Sequence, residues 1–341
     1  MSKNVENRME MMLLLEAKMC NPNGDPDAGN EPRRDPDGYG VITDVAFKRW
    51  IRNYIQDAYG DEVGCDIMMS RGASVNRKIA EAVFEANGID NAKALGKGNT
   101  KVQESAAILA NRYWDVRTFG GVLSTGLNAG QVKGAVQMGM AVTYDPIEVM
   151  NLTITRECYS DGKDFKTLDE YTEEERTRPD DKKRTMGEKS VVVYGLYQLQ
   201  ISISASEAQK VGFTEEDLNK LEEALLQMLD TNNSSSKMGL RLVTPLIIFK
   251  HVGTQVDKTS DQNKREAKLG CASAQKLYEL LSVVKKDGIV TPRSTDDYEI
   301  SFNMAGVPNG VEVGMKYLPF EPVKWGSDAL NGWEFNSTSV M

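Results

Sequence analysis

Histidine is almost missing from this chain: His251 is the only one in 341 residues. A multi-histidine metal centre is therefore excluded, and any serine–histidine or cysteine–histidine nucleophile would have to use this one residue. His251 follows the apolar run LIIFK at 246–250 and reads as a structural or surface group rather than a catalytic one. Cysteine is sparse as well. Cys20, Cys65, Cys158 and Cys271 form no CxxC pair, which argues against a disulfide frame or a zinc site and for reduced thiols in the cytosol. No apolar run approaches the ~20 residues needed to span a bilayer. The apolar stretch at 11–15 is too short, and wrongly flanked, for a signal peptide. A phosphate-binding P-loop, GxSxG and HExxH are all missing, so an enzyme is the weaker class. Basic residues are outnumbered, 41 against 50 acidic ones, for a net charge of −9. That balance excludes a general basic coat; nucleic acid would have to be met by local patches, with the acidic surplus placed elsewhere.

What is present centres on residues 21–52, NPNGDPDAGNEPRRDPDGYGVITDVAFKRWIR. The first part is dense in Gly, Pro, Asn and Asp, which continue neither a strand nor a helix. Asp25, Asp27, Asp35 and Asp37 all adjoin Pro or Gly, where turn chemistry is favoured over metal binding. Thr43 or Asp44 caps a helix. Along it Phe47, Ile51, Tyr54 and Ala58 form a buried stripe. Lys48, Arg49 and Arg52 fall on a different side. A cationic helix face beside a glycine-rich loop suits a phosphate backbone. A plain solvated face is the competing reading.

The run at 8–18 reads as a buried first strand. Helices are expected over 74–86, stopped by Asn87-Gly88, and over 101–114. Arg117 follows, with Gly120 and Gly121 beside it. That glycine pair brings a backbone close to a phosphate or makes a plain tight turn. Strands are expected at 131–144 and 147–157. Residues 159–187 are dense in charge and nearly free of aliphatic side chains. They cannot bury a core and read as loop, hairpin tip or partly disordered chain. The stretch SVVVYGLYQLQISIS at 190–204 is the clearest strand. Thr214 with Asp217 resembles a capping box, opening a helix whose apolar face is Leu218, Leu221, Leu225 and Met228. A strand over 240–252, with Pro245 at an edge or bulge, and a helix over 262–284 come next. The last dozen residues read as polar and loosely held.

With the insertions removed, the order is β-α-β-β-α-β, the ferredoxin-like pattern shared by RRM domains. The aromatic string of RRM domains is absent, so base stacking on the sheet is not expected. The basic groups fall into patches: Arg33 with Arg34; Lys48, Arg49 and Arg52; Arg117; Lys182, Lys183 and Arg184; and Lys237 with Arg241. Glycines and the hydroxyls of Ser234, Ser235 and Ser236 lie among them. Backbone N–H groups, hydroxyls and cations together make a sequence-blind phosphate grip, suited to holding RNA by its backbone rather than reading its bases.

Several motifs carry a family resemblance. They are NPNGDP at 21–26, Gly-Tyr-Gly at 38–40, TDVAFKRWIRNYI at 43–55, FGGVLSTG at 119–126, TMGEKSVVVYGLY at 185–197 and FTEEDLNKLEEALLQMLD at 213–230. In this order they resemble the CRISPR-associated Cascade backbone subunit, the Cas-seven family of types I-C and I-B, over most of the chain. The resemblance implies an α+β protein with a ferredoxin-like (RRM-like) palm at 1–59, 131–149 and 189–341. It implies a helical finger insertion at 60–130 and a protruding thumb at 150–188. It also implies several copies stacked along one CRISPR RNA in the prokaryotic cytoplasm, beside other Cascade subunits, with guide bases left free to pair with target DNA. No catalytic residue, cofactor, metal or membrane is implied. The implied RNA contacts include Asn21, Asn23 and Thr43 around the loop, and Lys48, Arg49 and Arg52 on the basic helix. Met186, ending the thumb, would be a wedge between bases. At 234–239 SSSKMG stands where relatives carry Ala-Arg-Gly, so Lys237 keeps the charge without the planar fork. An RNA-binding monomer outside CRISPR is the alternative, and an RNA-processing nuclease a third reading.

Overall fold

The computed structural model describes residues 2–96, 98–160 and 163–335. Strand β1 (Met9–Cys20) is buried at nearly every position because both of its faces are covered. Met11, Leu13 and Leu15 enter one core, while Met12 and Leu14 enter a second. Strand β2 (Tyr39–Ile42) leads into helix α1 (Asp44–Tyr59). Thr43 stays extended, and its hydroxyl accepts the Ala46 N–H, so it is the N-cap. The buried stripe of α1 is Phe47, Trp50, Ile51, Tyr54 and Ile55. Ala58 is exposed, a correction to the expected stripe, which ends one turn before the helix does.

Helices α2 (Val75–Asn87), α3 (Val102–Arg112) and α4 (Trp114–Phe119) follow. They enclose a small core of their own around Ile79, Val83, Leu109 and Val116. The strand expected over 131–144 is instead three pieces: Gln131–Lys133, Val136–Met138 and β3 (Ala141–Pro146). Gly134 accounts for the first break, since a Cβ there would lie 2.3 Å from Gly120 N.

Strand β4 (Val149–Arg156) and the start of β5 (Thr185–Ile203) form a long hairpin, paired from Val149↔Val192 to Arg156↔Thr185. Within it lies helix α5 (Leu168–Thr177), where no helix was expected. Local contacts support it, and Tyr159 adds a hydrogen bond to Glu174. Thr167 and Glu170 form a capping box, Arg176 pairs with Glu173 and Arg178 with Glu174. It buries no residue, so hydrophobic periodicity could not reveal it.

Helix α6 (Ala205–Val211) is short, and α7 (Glu215–Thr231) opens on the expected Thr214–Asp217 capping box. Leu218, Leu221, Leu225 and Met228 are its buried face. Strand β6 (Leu246–His251) is separated from the short strand Leu240–Leu242 by the break at Pro245. The helix expected over 262–284 is corrected to α8 (Asp261–Leu269), α9 (Ala274–Tyr278) and a strand, Leu281–Lys285. Gly270, at φ 102°, ends α8. Strand β7 (Val311–Lys316) completes the main sheet near its edge.

The central order is β7-β6-β1-β5-β3-β2, with every neighbour antiparallel. The fold is therefore α+β around one large antiparallel sheet. Helices α1 and α7 cover one face. The other carries α9 and the hairpin of Leu281–Lys285 with Tyr298–Phe302. Part of the tail joins this second layer: Trp333 lies 6.2 Å from Phe302 and 5.4 Å from Phe335, ring centre to ring centre. The loosely held tail is thus corrected up to residue 335; 336–341 lie outside the described residues.

Candidate nucleic-acid interface

The glycine-rich loop is built rather than slack. Asp25 Oδ1 accepts the Asp27 N–H, and its other oxygen accepts from Arg33 at 3.0 Å. Asp35 Oδ1 accepts the N–H groups of Asp37 and Tyr39. These two aspartates shape turns. Asn23 Oδ1 accepts both the N–H and the hydroxyl of Thr43, tying the loop to the start of α1. Asn21 is buried; its N–H donates to Ser236 O at 2.7 Å and its amide to Asn30 O.

The turn at 232–239 is held from three sides. Asn232 donates to Trp50 O and accepts from Asn53, both on α1. Lys189, at the base of the β4–β5 hairpin, donates to Ser235 O at 2.9 Å. Lys237 lies over the Trp50 ring at 4.6 Å, and burial pushes its ammonium pKa down. So Asn21, Asn23, Thr43, Ser235, Ser236 and Lys237 come together in one cradle, with Lys189 added. Lys189 carries no local signal of this role, standing alone between the charged stretch at 159–187 and the apolar strand, outside the basic patches. Two polar atoms of this region, Asn21 Oδ1 and Arg33 Nε, are buried without a hydrogen-bond partner. Arg34 pairs with Glu31 at 3.5 Å, and Arg241 with Glu16 on β1.

The basic face of α1 points inward more than its spacing suggested. Arg52 Nε donates to Asp115 at 2.7 Å, and its guanidinium lies over Phe119. Asp115 also accepts the N–H groups of Met68 and Met69. Arg49 donates to Met69 O, and burial, with Arg52 nearby, pushes its pKa down. Lys48 pairs with Asp44 at 2.8 Å and keeps some exposure. The expectation of a solvent-presented phosphate face is therefore corrected for Arg49 and Arg52, which fasten the segment after α1 onto the helix.

Arg117 is corrected more sharply. It is 8 % exposed and grips Asp217 through two hydrogen bonds, 2.9 Å from Nε and 2.6 Å from a terminal nitrogen. A third donates to Gly64 O. Gly120, at φ 76°, is packed against a strand: a Cβ there would lie 2.4 Å from Val132 O. Gly120 and Gly121 pair with Lys133 and Val132, and the close approach that Gly120 permits here is to that neighbouring strand.

On the hairpin, Arg184 pairs with Glu157 and Lys183 with Asp180, while Lys182 is exposed. Met186 is 78 % exposed on β5 opposite Thr155. His251 is fully buried, which corrects its reading as a possible surface group: Nε2 lies 2.6 Å from buried Glu10, and Nδ1 accepts the Cys271 N–H. Among the described residues, no helix is long and apolar enough to cross a membrane.

The chain matches the family model for CRISPR-associated protein Cas7 over residues 7–303. A curated relative, CRISPR-associated protein Cas7 of Haloferax volcanii, is 38 % identical over 120 residues. That alignment spans 35 % of this chain and about a third, 33 %, of the relative. Among solved structures, a chain titled "CRISPR RNA-guided surveillance complex, pre-nicking" is 14 % identical at a TM-score of 0.45, covering 73 % of this chain and 80 % of that one. A second, titled "CRISPR RNA-guided surveillance complex", is 14 % identical at 0.41, covering 74 % and 76 %. Matched by the family model over most of its length, this chain belongs to the family of CRISPR-associated protein Cas7.

Proposed function

We propose that this chain is a CRISPR RNA-holding backbone subunit of a type I Cascade surveillance complex. Several copies stack along one guide RNA in the prokaryotic cytoplasm, with other Cascade subunits, and present its bases for pairing with target DNA in antiviral defence. The observation that carries the reading, beside family membership, is the cradle. It joins the glycine-rich loop, the capped start of α1, the 232–239 turn and Lys189 at the root of a projecting hairpin. Hydroxyls, backbone groups and cations are what a phosphate backbone needs. No catalytic role is assigned.

In this reading β1, β3, β5 and β6, with α1 and α7, are a ferredoxin-like palm. The order β6-β1-β5-β3 supports it, since a β-α-β-β-α-β chain places its fourth strand beside its first. Residues 60–130 are the finger and 150–188 the thumb. The sheet face opposite α1 and α7, on which RRM domains stack bases, is covered by Tyr298 and Phe302. That favours a grip by backbone.

Replacing Lys189 and Lys237 together with alanine should weaken binding to every RNA sequence about equally. The slope of log affinity against log salt should flatten by ~0.7 for each phosphate that the variant no longer neutralises. An unchanged slope would remove the cradle from the interface. RNA of uniform length should co-purify with the native protein; RNA of mixed length would instead support a general RNA-binding module.

A further inference from the structure

We propose that Met19 and Met238 form an apolar seat for one base of the bound RNA, beside the cradle. The inference rests on the proposed function and adds a base contact to a site otherwise built for phosphates. Met19 has φ 51°, in the left-handed region; among the described residues, Asn30 is the other non-glycine there. Asparagine tolerates that conformation, whereas methionine has no side-chain hydrogen bond to offset its cost of roughly 1–2 kcal/mol. The strain has a clear consequence. Strand β1 pairs Lys18 with Tyr194 and Cys20 with Val192 in unbroken register, but the pairing is interrupted at Met19, which is 49 % exposed.

Met238 faces it. The pairing of Ala17 with Leu240 runs on through Lys18 N–H to Gly239 O at 2.9 Å, and Asn21 N–H bonds Ser236 O at 2.7 Å. These bonds flank the two methionines and set them across from each other. Met238 is 73 % exposed. Gly239 permits the approach, since a Cβ there would lie 1.8 Å from Lys18 O.

The surroundings select the occupant. Basic residues border the pair along the chain: Lys18 precedes Met19, Lys237 precedes Met238, Lys189 donates to Ser235 O, and Arg241 holds the Glu16 carboxylate. Two flexible, polarizable thioethers among cations suit a flat π-face whose flanking phosphates meet the lysines. Such a seat is indifferent to base identity, because every base has a π-face. It differs from a wedge at Met186, which sits on the projecting hairpin.

The test is peroxide oxidation of the full chain, read by mass spectrometry. It is run alone, with oligouridylate, and with an abasic ribose-phosphate strand of equal length. Met140, exposed near the far part of β5, is the internal reference. Oligouridylate should slow oxidation of Met19 and Met238 at least about fivefold relative to Met140, and the abasic strand should not. The variant carrying Met19→Asn and Met238→Ala keeps a residue tolerant of φ 51°. It should retain the salt slope yet lose most of the preference for oligouridylate over the abasic strand, about tenfold in wild type. Equal protection by the abasic strand, protection that grows with protein concentration without RNA, or an unchanged preference in the variant would overturn the seat. The second of these would assign the pair to contact between copies. If neither strand binds, the proposed function falls together with the seat. If both bind with a full salt slope while the methionines stay unprotected, the seat alone falls.

Discussion

Truncating Arg117 to alanine is expected to cost about 3–5 kcal/mol of stability, because it strands a buried carboxylate. Asp217 would lose two hydrogen bonds, and Gly64 O its donor. Asp217 is not free to move away, since it also accepts from the N–H and hydroxyl of Thr214 in the capping box of α7. The break therefore opens the junction between the insertion after α1 and the helix that covers the sheet. Urea unfolding of the variant checks the size of the effect. Adding Asp217→Asn to Arg117→Ala should recover part of the loss, because the neutral amide keeps an acceptor for the cap and removes the unpaired charge. A loss under about 1 kcal/mol, or no recovery in the double variant, would mean that the pair is not what joins these elements.

Deleting residues 160–184 should separate assembly from folding. None of the three hydrophobic cores draws a described residue from 150–189, α5 buries nothing, and β4 is exposed over most of its length. The remaining chain should keep its near-ultraviolet dichroism and a urea midpoint close to wild type. On long RNA it should give irregular complexes where the full chain gives elongated, evenly spaced particles in electron microscopy. Head-to-tail contact of unlike surfaces produces such open arrays, and a projecting hairpin is the element able to reach a neighbour. Protease should nick this hairpin in the free subunit and spare it on RNA. Normal particles from the deletion variant, or equal protection without RNA, would refute the thumb assignment.

Much of this was legible in the residues themselves, where the determinant is local. Thr43 capping α1 and Thr214 with Asp217 capping α7 are contacts three residues apart. The continuous apolar run at 11–15 within β1 announces a strand covered on both faces. The apolar stripe of α7 was readable by its period. Even the charged character of 159–187 reported correctly that the segment joins no core, although not that its middle is a helix.

The destination of the cations was not legible. Spacing along α1 placed Lys48 and Arg52 on one side but could not say what that side meets. Asp115 lies 63 residues from Arg52, and Asp217 lies 100 from Arg117. A charge run looks the same in sequence whether it faces phosphate, solvent or a buried carboxylate. The difference is made only when folding brings a partner within hydrogen-bond distance and excludes water around the pair. The cradle has the same origin: Asn21 meets Ser236, and Lys189 meets Ser235, across strand pairings that join distant parts of the chain. The residues alone determined the starts of α1 and α7 and the apolar period of α7, because caps and periods act over a few positions. Tertiary structure decided which basic groups stay available to a ligand, because that depends on pairing between segments far apart in the chain.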